Sequence, residues 1–257
     1  MAERRDGADI GRVAVITGGS SGIGAALGIE LGRRGWHCVL LARREARLQE
    51  VAAACGGEYE VCDLSDREQI DRAAQAILGR HRAVHLLVSN AGIPARGGFV
   101  EIEPAALELV LRVNFLAGVW CVRAFLPGLE AAERADVVNV VSVAGTVAFP
   151  PAGPYSASKH AQLAFSRSLG GELAGRGIRV HTVNPGFVET EGFPQRARFA
   201  GELMRRLVID PEDVASHIVS VVERDRRETF VPWWYRGAML AQAVAPGLVS
   251  RVFARRR

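Results

Sequence analysis

Tyr155 and Lys159 lie four residues apart in Tyr155-Ser156-Ala157-Ser158-Lys159, a spacing that places a phenol and an ammonium on one face of a helix. A phenol with an ordinary pKa of about 10 exchanges protons poorly at neutral pH. A cation beside it favours the phenolate and lowers that value, which is the tuning that acid–base chemistry requires. The pairing is unusual in this chain. Of 32 basic residues 31 are arginine, Lys159 is the only lysine, and only Tyr59, Tyr155 and Tyr235 could partner it.

Thirteen residues before the tyrosine, Ser142 closes the apolar run Asp136–Ser142. If that run is a parallel strand, its C-terminal end opens on a ligand crevice, where the serine hydroxyl can donate to a carbonyl oxygen as charge develops. The chain has four asparagines: Asn90, Asn114, Asn139 and Asn184. Asn90 sits in Ser89-Asn90-Ala91-Gly92 and Asn184 in Asn184-Pro185-Gly186, each after an apolar run. Asn114 interrupts the apolar stretch LELVLRVNFLAGVW, where an amide disfavours helix and needs a partner. It could hold a water there or interrupt the backbone ladder.

A second kind of chemistry is written near the N-terminus. The apolar run Arg12–Thr17 leads directly into Thr17-Gly18-Gly19-Ser20-Ser21-Gly22-Ile23-Gly24 and then an Ala/Leu-rich stretch. A tight strand-to-helix turn needs glycine conformations, and a backbone that approaches a pyrophosphate needs the missing Cβ. Free N–H groups and the positive end of the helix dipole then face the anion. The spacing TGxxxGxG differs from GxxxxGK[ST], and the lone lysine is far away, so a P-loop NTPase is disfavoured.

The next apolar run, Cys38–Ala42, ends in Arg43-Arg44 with no carboxylate at the end of the strand. A ribose 2′-OH calls for Asp or Glu at this point, and a 2′-phosphate for arginine forks. The reading is NADP(H) in preference to NAD(H). After the run Glu58–Cys62, Asp63-Leu64 offers a carboxylate that could accept from an adenine amino group.

These residues require elements to position them, and the pattern supplies an alternating set. Strands are predicted at 12–17, 38–42, 58–62, 85–89, 136–142, 179–184 and near 229–232. Helices are predicted at 23–34, 44–54, 67–80, 104–126, 156–175 and 211–223. Such alternation demands right-handed crossovers and a parallel sheet covered on both faces. Near-continuous apolar strands such as VAVIT and CVLLA agree with that burial. The fold class is α/β, one doubly wound domain over 1–257, with a flexible start at 1–11.

Composition fits this reading. The chain has 257 residues, 49% hydrophobic and 23% charged, which excludes collagen, coiled coil and disorder. A net charge of +4 is weak ground for nucleic-acid binding, and none is expected. Cys38, Cys55, Cys62 and Cys121 form no CxxC pair, so reduced buried thiols are expected. The polar N-terminus has no signal core, and no uncharged run spans a bilayer, so a cytoplasmic location is expected. The six histidines show no ligand spacing, and no metal is expected.

As a set, TGGSSGIG, SNAG, Asn114/Ser142/Tyr155/Lys159 and NPGFVET resemble the short-chain dehydrogenase/reductase family, in its short single-domain branch. The resemblance covers roughly 12–190, and implies a three-layer Rossmann fold with strand order 3-2-1-4-5-6-7. It implies Tyr155 as general acid/base, Ser142 positioning the carbonyl, Lys159 lowering the tyrosine pKa and holding the nicotinamide ribose, and Asn114 anchoring a relay water. Gly18, Ser20, Ser21, Gly22, Ile23, Gly24, Asp63, Leu64, Asn90, Ala91, Gly92, Pro185, Gly186, Val188 and Thr190 fall at cofactor-contacting positions. Ser89 stands where the family usually has a second Asn. Ser21 replaces its alternative basic residue, which leaves the NADP preference on Arg43 and Arg44. A dimer or tetramer built partly on the Asn114 and Tyr155 helices is also implied.

The expected activity is reversible hydride transfer between a nicotinamide and a small-molecule ketone, aldehyde or alcohol. Apolar segments 144–152 and 186–194, with Phe149, Pro150, Phe187 and Phe193, point to a hydrophobic substrate. A substrate lid is expected at 187–210. A 3-oxoacyl-carrier-protein reductase is the competing substrate class, and a non-catalytic dinucleotide-binding scaffold the competing function. The tail 233–257 combines Trp233-Trp234-Tyr235, an apolar stretch broken by Pro246 and terminal arginines. It could cover the substrate pocket, a subunit contact or an anionic membrane surface.

Overall fold

The computed structural model describes residues 11–95, 97–198 and 207–254. Of the expected flexible N-terminus, all but Gly11 lies outside them. The strands are β1 (Val13–Thr17), β2 (His37–Ala42), β3 (Glu58–Val61), β4 (Leu86–Ser89), β5 (Ala135–Val140), β6 (Ile178–Pro185) and β7 (Glu228–Val231). They form one sheet in the order β3-β2-β1-β4-β5-β6-β7, every pair parallel. The direction of winding reverses between β1 and β4, which opens a crevice at their C-terminal ends.

Alternating side chains from the strands fill two cores. On one face Ala14, Ile16, Cys38, Leu40, Val138 and Val183 meet helices α1 (Gly22–Arg33), α2 (Glu45–Cys55) and α7 (Pro211–Glu223). On the other, Val13, Val15, Val39, Leu41, Leu87 and Val137 meet α3 (Arg67–Arg80), α5 (Ala117–Glu130) and α6 (Gly153–Leu173). Each fully buried Val, Leu or Ile contributes about 1.5–3 kcal/mol, so this double-sided burial fixes the strands that carry the site. All four cysteines are buried and free, as their sequence surroundings indicate.

Three departures from the sequence reading concern the site. The expected helix 104–126 is α4 (Pro104–Leu111), a π-helical turn (Arg112–Leu116) and then α5, with Asn114 buried inside the turn. Of the two outcomes left open for that amide, the structure shows the interrupted ladder. Strand β5 stops at Val140, and Ser142 instead caps a short 3₁₀ turn, Val143–Gly145, accepting from the Ala144 N–H. Helix α6 begins at Gly153, ahead of the expected Ser156, so Tyr155 stands in its first turn.

The helical run Pro104–Glu130 is long and apolar enough to cross a membrane, with mean hydropathy 1.7. It serves here as a layer helix: Cys121, Val122, Phe125 and Leu129 pack in the second core. The tail forms two helices that periodicity did not reveal, α8 (Arg236–Val244) and α9 (Pro246–Ala254).

Candidate active site

The glycine-rich turn follows β1 as expected. Gly18 and Gly22 adopt φ of +70° and +56°, conformations that side chains strain to reach. A Cβ on Gly24 would lie 2.4 Å from the Gly18 carbonyl oxygen, so the turn closes only without it. Helix α1 starts at Gly22 with no side-chain cap and no acid in its first turn, which leaves its N–H groups and dipole available to an anion. Thr190 stands over this turn: a Cβ on Gly22 would meet its methyl group at 3.0 Å.

Thr17 ties the turn to the end of β4. Its hydroxyl donates to the Val88 carbonyl at 3.1 Å and accepts from the N–H groups of Asn90 and Ala91 at 3.0 and 3.1 Å. The Asn90 amide donates back to the Thr17 carbonyl at 2.9 Å. Asn90 thus holds the two sides of the crevice together.

Arg44 crosses from the end of β2 to this turn, donating to Ser21 Oγ at 2.5 Å and to Ser20 Oγ at 3.4 Å. Its other terminal nitrogen donates to Glu191 Oε1 at 3.0 Å. Arg43 is exposed and pairs with no carboxylate among the described residues. Asp63 holds a local turn, its Oδ1 accepting from the Ser65 N–H and hydroxyl at 2.9 and 2.8 Å. The Leu64 side chain packs into the second core, so its backbone is the part that faces the expected site.

The four expected catalytic residues converge beyond the ends of β4 and β5. Ser142 lies near the Tyr155 hydroxyl and favours its phenolate. Lys159 is buried one helical turn on, its Nζ 5.9 Å from the Tyr155 ring centroid. It donates to the Val140 carbonyl at 3.1 Å and to Gln162 Oε1 at 2.7 Å, which commits two of its three N–H bonds. A Cβ on Gly92 would approach Lys159 Nζ at 3.7 Å and Asn114 Oδ1 at 3.5 Å, so Gly92 leaves open the space above both.

Asn114 works as a clamp. Its Oδ1 accepts from the Ile93 N–H at 2.8 Å, and its Nδ2 donates to the Ile93 carbonyl and Ser158 Oγ, each at 3.0 Å. Ser158 donates onward to the Tyr155 carbonyl at 2.7 Å. The amide joins the loop after β4 to the helix that carries Tyr155, and the π turn brings it there.

Electrostatics depart from the sequence reading. Burial pushes the Tyr155 phenol up to about 12, with the neighbouring Ser142 acting in the opposite direction. Burial alone brings the Lys159 ammonium down to about 7. The lowering of the phenol expected from Lys159 is therefore absent in the chain by itself. Desolvation favours the neutral form of both groups.

Around the catalytic group the walls are apolar. Phe193 lies 5.6 Å from the Tyr155 ring, centroid to centroid. Tyr235 covers Gly186, where a Cβ would meet its ring at 2.1 Å, and it stands edge-on to Phe187 at 6.4 Å. Val188, buried, bridges to Ile209, and Glu189 accepts from the N–H groups of Gln195 and Arg196. Pro185 ends β6, while Asn184 donates to the Thr229 carbonyl at 3.2 Å and so braces β7. Of the expected lid, 199–206 lies outside the described residues.

Sequence reasoning missed Ser158 and Glu191, whose partners are distant in sequence, and Gln162, which bonds Lys159 one turn back on the same buried helix. It also missed that His37, Glu58 and His81 meet at the opposite end of the sheet, their ligand-type atoms within 4.8 Å of one another. Both imidazoles hydrogen-bond Glu58 Oε1, while Arg80 donates to Oε2 at 2.9 Å. An open hollow of 560 Å³ beside α3, reaching Arg112 and Trp120, shares only Asp63 with the expected site.

The crevice fits a dinucleotide on its own geometry: an uncapped helix N-terminus, a close-approach glycine turn, a guanidinium beside it and a buried amine with a spare donor. Comparison with known proteins agrees. The family model for short chain dehydrogenase matches residues 12–199. The chain is 31% identical over 274 residues to "Dehydrogenase/reductase SDR family protein 7-like" of Anopheles gambiae, covering 100% of this chain and 86% of that protein. It is 31% identical over 227 residues to "Dehydrogenase/reductase SDR family member 4" of Mus musculus, covering 83% and 81%. Among solved structures it resembles a variant of the actinorhodin polyketide ketoreductase with NADPH, at TM-score 0.75 and 27% identity over 82% of this chain and 90% of that one. It also resembles a short chain dehydrogenase/reductase from Burkholderia phymatum in complex with NAD, at TM-score 0.78 and 28% identity over 90% and 91%. With the seven-stranded order, the glycine turn and the Ser142–Tyr155–Lys159 group all in place, the chain belongs to the short-chain dehydrogenase/reductase family of oxidoreductases.

Proposed function

We propose that this chain is an NADP(H)-dependent oxidoreductase that interconverts a ketone or aldehyde with an alcohol on an apolar substrate. The observation that carries the reading is Ser142 set near the Tyr155 hydroxyl, with Lys159 buried one helical turn away. A reduced nicotinamide, when bound, supplies the hydride that adds to the carbonyl carbon. Ser142 holds the carbonyl oxygen and stabilises its growing negative charge. Tyr155 gives that oxygen a proton in reduction and takes one from the alcohol in oxidation. Lys159 holds the nicotinamide ribose with its spare N–H. An acceptor there favours the ammonium, which in turn favours the phenolate that reduction leaves behind.

Arg44 supports NADP(H), because its guanidinium already lies on Ser20 and Ser21 beside the helix N-terminus. Arg43 is free to join it. Gly18, Gly22 and Gly24 cradle the pyrophosphate, Asp63 meets the adenine, and Asn90 to Gly92 with Pro185 to Thr190 frame the nicotinamide. Phe193, Phe149 and Tyr235 supply the greasy wall, with the described parts of the expected lid, 187–198 and 207–210, over the substrate. Reduction of a ketone on an acyl or polyketide chain is a second reading, favoured by the likeness to the actinorhodin polyketide ketoreductase. Half-buried Phe115 and Phe165, 6.2 Å apart edge to face, support pairing of subunits through the Asn114 and Tyr155 helices, a proposal that sedimentation velocity tests.

A panel of ketones, aldehydes, alcohols and 3-oxoacyl thioesters, run with both reduced and both oxidised nicotinamides, tests these points together. The reading expects turnover with NADPH on apolar carbonyls. Absence of activity on the whole panel, with dinucleotide still bound, would favour a non-catalytic role.

A further inference from the structure

The tail after β7 has an inner and an outer side. On the inner side Tyr235, Ala238, Met239 and Val249 pack against Val143, Val147 and Phe230, which anchors the tail beside Ser142. The outer side is apolar and uncovered: Trp233, Trp234, Leu240, Val244, Leu248 and Val252 are 74%, 48%, 57%, 83%, 62% and 49% exposed. Leu240 and Val244 are four residues apart on α8, as are Leu248 and Val252 on α9, so each helix presents a stripe and not scattered residues. Exposed apolar surface of this extent marks an interaction site.

Charge identifies the partner. From Thr229 to Arg257 the sequence contains five arginines and no aspartate or glutamate. Arg236 and Arg251 are exposed, and neither pairs with a carboxylate among the described residues. Pairing two copies tail to tail would set arginine against arginine with no acid in the segment to separate them. An anionic lipid surface satisfies both features at once, taking up tryptophan and leucine at the headgroup boundary while phosphates meet the guanidinium groups.

We propose that the outer face of the 233–254 tail docks the protein on an anionic lipid bilayer, as a peripheral contact lying in the interface. Docking is independent of the reaction assigned above. It needs two signals, apolar insertion and cationic attraction, neither of which holds a protein firmly alone.

Flotation of the full chain tests it, with vesicles of phosphatidylcholine alone and of an equal mixture of phosphatidylcholine and phosphatidylglycerol. The expected result is flotation with the mixed vesicles, a loss of about tenfold in partitioning on the neutral ones, and release by high salt. A variant combining Leu240→Ser, Val244→Ser, Leu248→Ser and Val252→Ser should lose binding. These side chains face outward, so it should keep the circular dichroism and dinucleotide affinity of the parent. Arg236→Gln with Arg251→Gln should weaken only the anionic preference. Tryptophan emission provides a second readout, with a blue shift on mixed vesicles that Trp233→Ser with Trp234→Ser removes. The proposal is overturned if the chain stays unbound on both vesicles, or if the serine variant floats as the parent does. It is equally overturned if the serine substitutions split an oligomer of a parent that never binds vesicles.

Discussion

Arg44 donates to Glu191 Oε1 at 3.0 Å while its other terminal nitrogen rests on Ser21 Oγ. One guanidinium therefore links the phosphate turn to the segment after β6. Both partners of the ion pair are about half exposed, so the pair itself is worth under about 1 kcal/mol. A 2′-phosphate would have to share Arg44 with that carboxylate. Replacing Glu191→Gln should therefore tighten NADPH binding by a factor of about 2 to 5 and leave NADH unchanged. Arg44→Ala should raise KM for NADPH by about tenfold or more with little effect on NADH. Steady-state kinetics with the two cofactors decide the matter, and equal effects on both would remove Arg44 as the selector.

Tyr155→Phe keeps the ring and its 5.6 Å packing on Phe193 while removing the proton. Turnover should fall by at least about a thousandfold with dinucleotide binding retained, as measured by nicotinamide fluorescence titration. Substantial residual activity would assign the proton to another group.

The buried amine makes a prediction about stability. In the folded chain Lys159 titrates at about 7, against 10.5 for an ordinary lysine. Between those values the unfolded chain carries the extra proton, so this group makes stability rise with pH across that window. Lys159→Met should flatten the slope and stabilise the cofactor-free protein by on the order of 2 kcal/mol near neutral pH, while abolishing turnover. Urea denaturation at a series of pH values tests this, and an unchanged slope would contradict it.

Glu58 gives the same direction of pH slope, in an acid window, but from a stabilising contact. Burial raises its carboxyl, but hydrogen bonds from His37 and His81 and the Arg80 charge outweigh that, and the net direction is down. Its contribution is present above the ordinary carboxylate value of 4.5 and is lost as pH falls through the lower folded value. Glu58→Gln should cost under about 1 kcal/mol at neutral pH and reduce the loss of stability toward about pH 3. Denaturation midpoints of parent and variant should converge in acid.

Much of this fold is written locally. VAVIT and CVLLA are unbroken apolar runs because both faces of β1 and β2 are buried, and no other element type suits them. Tyr155, Ser142, Lys159 and the glycine turn were legible because their spacing is itself the chemistry. The protonation of the pair was not, since it depends on how deeply α6 is buried. Ser158 looks like an ordinary helix residue until Asn114 arrives from elsewhere in the fold, and Gln162 until burial of α6 turns the neighbouring Lys159 inward. Glu191 stands 147 residues from Arg44, and His81 stands 23 from Glu58, so neither pairing leaves a sequence period. The tail helices escaped notice because their outer faces are apolar, which erases the amphipathic pattern by which surface helices are read.

The π turn at Arg112–Leu116 amounts to one residue more than a regular helix would use. The wide turn absorbs that extra residue, so excising it would close the turn to α and leave α4 and α5 close to their present phase. Cys121 and Phe125 would keep their places in the core, while the Asn114 amide would be drawn away from Ile93. A single-codon deletion in this stretch would thus strike the clamp and largely spare the fold.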